Sequence, residues 1–114
     1  MIKHGVQAEQ LAVQYLQQHG LKLIAQNYRG RFGEIDLIMQ DGATLVFIEV
    51  RLRRDARFGG AALSIDARKQ QRIISTAQQY LASLIRIPAC RFDAVLMEDA
   101  QGRNMQWLKN AFDA

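Results

Sequence analysis

Two apolar runs on either side of Asp41-Gly42 carry acids where buried strands usually carry hydrophobes: Glu34 and Asp36 in "GEIDLIMQ", and Glu49 in "VFIEVRL". Carboxylates are hard oxygen donors, and a few of them hold Mg2+ or Mn2+ when waters and substrate phosphate oxygens complete the shell. Arg51, Arg53, Arg54 and Arg57 follow at once, and guanidinium groups suit phosphate as well as carboxylate. Rigidly held acids beside a basic run are the ingredients of metal-assisted phosphodiester hydrolysis. The same residues also describe a plain cluster of ion pairs, Glu34 or Glu49 with Arg51 or Arg53, on a solvated sheet face.

The spacing sets the geometry of these groups. Asp-Gly between two β-rich runs is a strong hairpin signal. A two-residue turn at Asp41-Gly42 places Asp36 opposite Phe47 and Glu34 opposite Glu49. Because side chains alternate along a strand, Glu34, Asp36, Glu49 and Arg51 then share one face with Ile38, Leu45 and Phe47. Ile35, Leu37, Met39, Val46, Ile48 and Val50 take the other face. Like charges opposed across a ladder repel, so a positive charge is expected among the acids, either a divalent cation or the chain's own arginines.

The elements that position them follow from periodicity. Ala8, Leu11, Ala12, Tyr15 and Leu16 recur at helical spacing between Val6 and His19, with Gly20 placed to end the helix. "LKLIAQNYR" (21–29) predicts a strand and "GRFG" a turn; strands follow at 34–40 and 44–52. After the loop "RDARFGGAA", Asp66 is placed to cap a second helix reaching about Ile85, with Ile73, Ile74, Ala77, Tyr80, Leu81 and Leu84 as its apolar stripe. Pro88 precedes a strand at "CRFDAVLM", and "MQWLKNAF" reads as a strand or a turn of helix. The fold class is α/β, in the order α-β-β-β-α-β with a further β in question.

The chain has 114 residues, 49% hydrophobic and 23% charged, with a formal charge of +4. That fits one soluble domain, 1–114, able to bury a core without disulfide or metal staples. No apolar run approaches the ~20 residues that span a bilayer, and "MIKHGVQAEQ" lacks a signal-peptide core, so a cytoplasmic protein with no membrane partner is expected. Cys90 is the single cysteine and reads as a buried thiol. Arg29, Arg31, Arg51, Arg53, Arg54, Arg57, Arg68, Lys69 and Arg72 surround the acids, a distribution that favours a polyanionic partner.

An acid on one strand, a short turn, and Glu-Val on the next, between two helices, resembles the restriction-endonuclease-like superfamily of metal-dependent nucleases, whose signature is Asp…(Asp/Glu)-x-Lys. Over nearly its whole length the chain is similar to the YraN-like family within it, which is related to archaeal-type Holliday junction resolvases. The likeness rests on "G-x-x-A-E-x-x-A" at Gly5 to Ala12, "NYR" at 27–29, "GEIDLI" at 33–38, "VFIEV" at 46–50, "RFG" at 57–59, Lys69, "RFD" at 91–93 and "NAF" near the end. The resemblance implies a three-layer α-β-α core around a mixed sheet of four to five strands. It implies a Mg2+- or Mn2+-dependent endonuclease acting on DNA, with branched or structured DNA as the substrate and a homodimer as the assembly. By position, Asp36 and Glu49 become metal ligands, Glu9 a helical acid reaching the same site, and Glu34 an acid supporting them from behind. Arg29, Arg31, Arg53, Arg54, Arg57, Arg68 and Arg72 become phosphate contacts.

The pattern departs from the family at one catalytic position, where Arg51 stands for the lysine. Arginine supplies charge and hydrogen bonds but accepts no proton at working pH. Loss of general-base help costs roughly 100- to 10,000-fold, although a bound metal acidifies its own water. Lys69, four residues before Ile73, is placed to bring an amine from the second helix. The catalytic set is therefore Asp36, Glu49, Arg51 and Lys69. The alternative is a nucleic-acid-binding module on the same fold that no longer cuts. Among the remaining polar groups, Glu9 also suits the start of a helix dipole, Asp93 is placed to pair with Arg91, and His4 and His19 read as surface residues. Tyr28, Phe32 and Phe58 suit either base stacking or core packing.

Overall fold

Helix α1 spans Gly5–Gln18 and helix α2 Ala67–Leu81; strands β1 to β5 are Lys22–Arg29, Glu34–Asp41, Thr44–Leu52, Cys90–Met97 and Gln106–Phe112. The structure is a computed structural model and describes residues 5–52 and 65–114. Arg53, Arg54, Arg57, Phe58 and His4 lie outside the described residues.

The five strands form one mixed sheet in chain order, antiparallel except between β3 and β4. A parallel step needs a crossover long enough to return the chain, and α2 lies within it. Ala8, Ala12, Val13 and Leu16 of α1 pack on Leu37, Met39, Val46, Ile48, Val50, Val95 and Met97. Ile73, Ile74 and Ala77 of α2 pack on Ile38, Leu45, Phe47, Phe92, Ala94 and Leu96. The sheet thus has a helix on each face, a three-layer α-β-α arrangement in the order α-β-β-β-α-β-β. The final segment is a strand, paired antiparallel with β4, where Gln106, Trp107 and Leu108 face Leu96, Val95 and Ala94, and Phe112 faces Phe92. Among the described residues no helix is long and apolar enough to cross a membrane.

The helix ends are set locally. The α1 terminus turns through Gly20 at φ +92, with the Leu21 N–H returning to the Leu16 carbonyl; glycine takes that backbone conformation without strain. At α2, Asp66 accepts from the Lys69 N–H at 2.8 Å, as an N-cap should. The C-terminus falls at Leu81, short of the expected Ile85. Both the N–H and the hydroxyl of Ser83 donate to the Tyr80 carbonyl, and Ile85 is fully exposed, so burial gives nothing to a further turn.

Three expectations are corrected. The hairpin turn is Gly42-Ala43, with Asp41 paired to Thr44. Gly42 supplies the positive φ of +61, and Asp41 is kept in the ladder by Arg91 of β4, whose Nη2 lies 2.9 Å from Oδ2. The opposed pairs shift accordingly, to Ile38 with Phe47 and Leu37 with Ile48, where the β2–β3 ladder ends. Strict alternation also fails around Asn27. Asn27 takes φ +52, a left-handed conformation that asparagine tolerates better than most residues. Ala25 and Tyr28 around it, and Ile38 and Ile35 across from them, all pack on the α2 side although each pair is three residues apart. Ile35 therefore leaves the face that simple parity assigns it. Cys90, finally, is exposed as the first residue of β4 rather than buried.

Candidate metal and nucleic-acid site

Where the β2–β3 ladder stops, side chains replace the missing backbone bonds. Asp36 is the residue between Ile35, on the α2 side, and Leu37, on the α1 side. Its Oδ2 accepts from the Val50 N–H of β3 at 2.9 Å, and Oε1 of Glu49 lies 3.4 Å from the Asp36 backbone nitrogen. Both residues are 1% exposed. The remaining oxygens, Oδ1 of Asp36 and Oε2 of Glu49, are buried, and among the described residues neither accepts a hydrogen bond. Two carboxylates this close and this dry repel one another, and a cation between or beside them relieves the repulsion.

Positive charge arrives from α2. Lys69 Nζ stands 3.6 Å from Glu49 Oε2, with the lysine side chain 29% exposed. The capped first turn of α2 fixes Lys69, since Asp66 holds its backbone N–H. Arg72, one helical turn on, joins Lys69, Ile73, Gly33 and Glu34 in lining a shallow cavity of about 120 Å3. Through Lys69 the buried carboxylates therefore adjoin a cavity lined by two cationic side chains.

The other sequence candidates fall as follows. Glu34 is ion-paired with Arg29 of β1 at 3.6 Å, and the observed β2–β3 register, with Leu37 paired to Ile48, does not bring it opposite Glu49 as the expected register had it. Glu9 is buried in α1, next to Ala8 of the α1 core. Among the described residues no group of three or more Asp, Glu, His or Cys is arranged to hold a metal; the acids brought together are Asp36 and Glu49. Arg51 is half-buried on β3 opposite Leu96. Arg29, Arg31, Arg68 and Arg72 are exposed. Tyr28 packs edge-on against Tyr80, with ring centroids 5.2 Å apart, and Phe32 is exposed. His19 is a surface residue whose Nδ1 lies 2.8 Å from the Tyr15 carbonyl.

Two groups of residues escaped sequence reasoning. Gln79 of α2 accepts from the Arg31 N–H at 2.9 Å and so holds the β1–β2 turn against the helix. Its place on one stripe with Lys69, Arg72 and Thr76 was the available signal. The second group surrounds Asp93. Its pairing with Arg91 is present, both carboxylate oxygens lying 3.1 Å from Nε. Asp93 is fully buried and also accepts from Trp107 Nε1 at 2.9 Å and the Asn110 N–H at 3.0 Å. Burial disfavours the Arg91 charge, but the hydrogen bond to Asp41 and the charge of Asp93 outweigh it and raise the guanidinium pKa. With every contact made within the fold, this network is a strut joining β2, β4 and β5.

Comparison with known proteins places these residues in a wider group. The model of a family described as "Uncharacterised protein family UPF0102" matches residues 8–97, a span that takes in Asp36, Glu49 and Lys69. A UPF0102 protein of Nitrosospira multiformis is 53% identical over 109 residues, covering 96% of this chain and 92% of that one. One from Psychromonas ingrahamii is 55% identical over 108 residues, covering 95% and 88%. One from Pseudomonas fluorescens is 49% identical over 114 residues, covering 96% and 93%.

Proposed function

For a chain that belongs to the uncharacterised protein family UPF0102, we propose the activity of a divalent-cation-dependent nuclease that hydrolyses phosphodiester bonds in DNA, with branched or otherwise structured DNA as the substrate class. The observation that carries this reading is the buried pair of Asp36 and Glu49 with Lys69 Nζ 3.6 Å from the second carboxylate. The donor chemistry fits Mg2+ or Mn2+, which take one or two carboxylates and leave their other positions to water and substrate phosphate. A structural zinc site instead uses four Cys or His ligands.

Asp36 and Glu49 would hold the cation, and their rigidity comes from their own backbone contacts across β2 and β3. A bound cation supplies charge neutralisation at the phosphate and a more acidic water. Lys69 contributes a positive charge beside Glu49 and donors for the charge that develops on the phosphoryl oxygens. Arg72 lines the adjacent cavity and gives the substrate backbone a second cationic anchor. Arg51 serves the same electrostatic role from β3 and takes no part in proton removal. The superfamily resemblance, with Arg51 at the lysine position and Lys69 reaching Glu49 from α2, supports this division of labour. Junctions are two-fold substrates and suit a homodimer; a single cysteine suits a reducing compartment, and we assign the enzyme to the cytoplasm.

The test is incubation of labelled duplex, single-stranded, flap and four-way-junction DNA with the protein in Mg2+, in Mn2+ and in chelator. Cleavage of structured DNA that needs the metal and vanishes in Asp36→Ala supports the nuclease. Salt-sensitive binding with no cutting of any substrate in either metal contradicts it and makes the chain a binding module.

A further inference from the structure

We propose that Phe32 is a stacking platform for an unpaired nucleobase beside the cleaved phosphate; this rests on the nuclease reading and narrows its substrate to DNA with unpaired or splayed bases near the scissile bond. Phe32 sits in the turn between β1 and β2 with 53% of its surface exposed. Its turn is held in place at several points. The Gly30 N–H donates to the Gly33 carbonyl at 2.9 Å, and Gln79 Oε1 accepts from the Arg31 N–H at 2.9 Å. A Cβ on Gly30 would run into the Gln79 amide and stand 3.3 Å from Thr76 Cγ2; one on Gly33 would touch Thr76 and Arg72. The turn is thus seated on the same α2 stripe that carries Lys69. A pinned turn with an exposed phenyl ring at its tip is preorganised for a ligand.

The surroundings select the ligand. The Arg31 guanidinium lies 5.7 Å from the Phe32 ring centroid, and Arg and aromatic faces together are a common surface for stacking bases. The cavity lined by Gly33, Glu34, Lys69 and Arg72 begins at the next residue. Strand rise is roughly 3.4 Å per residue, so the ring is anchored within about 7 Å of Glu34 along the chain. Phosphate in the cavity and base on Phe32 are neighbouring parts of one nucleotide strand. A base paired in the interior of a duplex keeps both faces stacked on its neighbours, so away from a duplex end the ring receives only a base that is unpaired or flipped out.

The experiment measures affinity for a single-stranded oligonucleotide and for a fully paired blunt duplex, with wild type, Phe32→Ala and Phe32→Trp, at one salt concentration in chelator. Phe32→Ala should weaken single-strand binding about 5- to 100-fold and change duplex binding less than twofold, and Phe32→Trp should restore it. Equal loss on both nucleic acids, no loss on either, or no binding by wild type overturns the proposal. Parallel cleavage assays keep the two claims apart. Selective loss of single-strand binding in a protein that never cuts leaves the stacking site standing and removes the nuclease. Metal-dependent cutting with affinities unmoved by Phe32→Ala does the reverse.

Discussion

The Val50 N–H donates to Oδ2 of Asp36 across 2.9 Å, where a regular antiparallel pair would offer a backbone carbonyl. A carboxylate is thereby built into the seam between β2 and β3, and Glu49 is brought against it from the other strand. Replacement of a backbone acceptor by an acid has no value for the sheet itself, since the buried charge must be neutralised.

Neutralising one member of the pair should accordingly stabilise the metal-free protein. Asp36→Asn keeps an oxygen for the Val50 N–H and removes the repulsion with Glu49. We expect a gain of about 1 kcal/mol in chelator, the usual scale for relieving a functional site. Urea denaturation of both proteins in chelator checks it; a loss of stability would mean that the charge of Asp36 is structural.

Lys69 and Arg51 should separate cleanly. Under single-turnover conditions Lys69→Met is expected to slow cleavage at least about 100-fold, whereas Arg51→Lys changes it by less than about tenfold, because the proposed mechanism gives the role of the missing lysine to the amine that stands 3.6 Å from Glu49. A large rise in rate with Arg51→Lys, and no effect of Lys69→Met, would return the role to β3.

How far the sequence reveals this site depends on the range of the interaction involved. Asp36 and Glu49 meet because parity survives the turn: Gly42-Ala43 and Asp41-Gly42 both put these two residues on the same side of the hairpin. Lys69 was legible from its distance to Ile73 on the α2 stripe, and the α-β-β-β-α-β core from periodicity. The register was not, because Asp41 is held in the ladder by Arg91, fifty positions away. Nor was the break in alternation around Asn27, whose backbone is left-handed. Glu34 as a supporting acid and Glu9 as a helical acid came from the resemblance, and the fold adds that Glu34 lies 3.6 Å from Arg29 on β1 and lines the cavity with Lys69. The strut around Asp93 draws on Trp107 and Asn110 of β5, a strand whose very type short-range pattern left open.

Gly30 and Gln79 should be energetically coupled. Gly30→Ala displaces the Gln79 side chain and Gln79→Ala leaves the Arg31 N–H without its acceptor, each costing about 1 kcal/mol. The double variant should cost clearly less than the sum of the two, since both act through one contact. Additive losses by urea denaturation would show that the turn is not seated through Gln79.

Asp93 should matter for stability alone. Asp93→Ala strands the partly buried Arg91 and the Trp107 N–H, at a cost of about 3–5 kcal/mol, which corresponds to a fall in Tm of more than about 10 °C in a domain of this size. Below that lowered Tm the variant should still bind divalent cation as wild type does. A small change in Tm would mean that β5 is held by its apolar contacts instead.

The most direct measurement is a Mn2+ titration of the purified chain by calorimetry, with Asp36→Asn and Glu49→Gln in parallel. Saturable binding of the metal to wild type, weakened at least about tenfold in both variants while each remains folded, is the predicted result. Binding of the same affinity in all three proteins, or none in wild type, would contradict the assignment of Asp36 and Glu49 as the cation site.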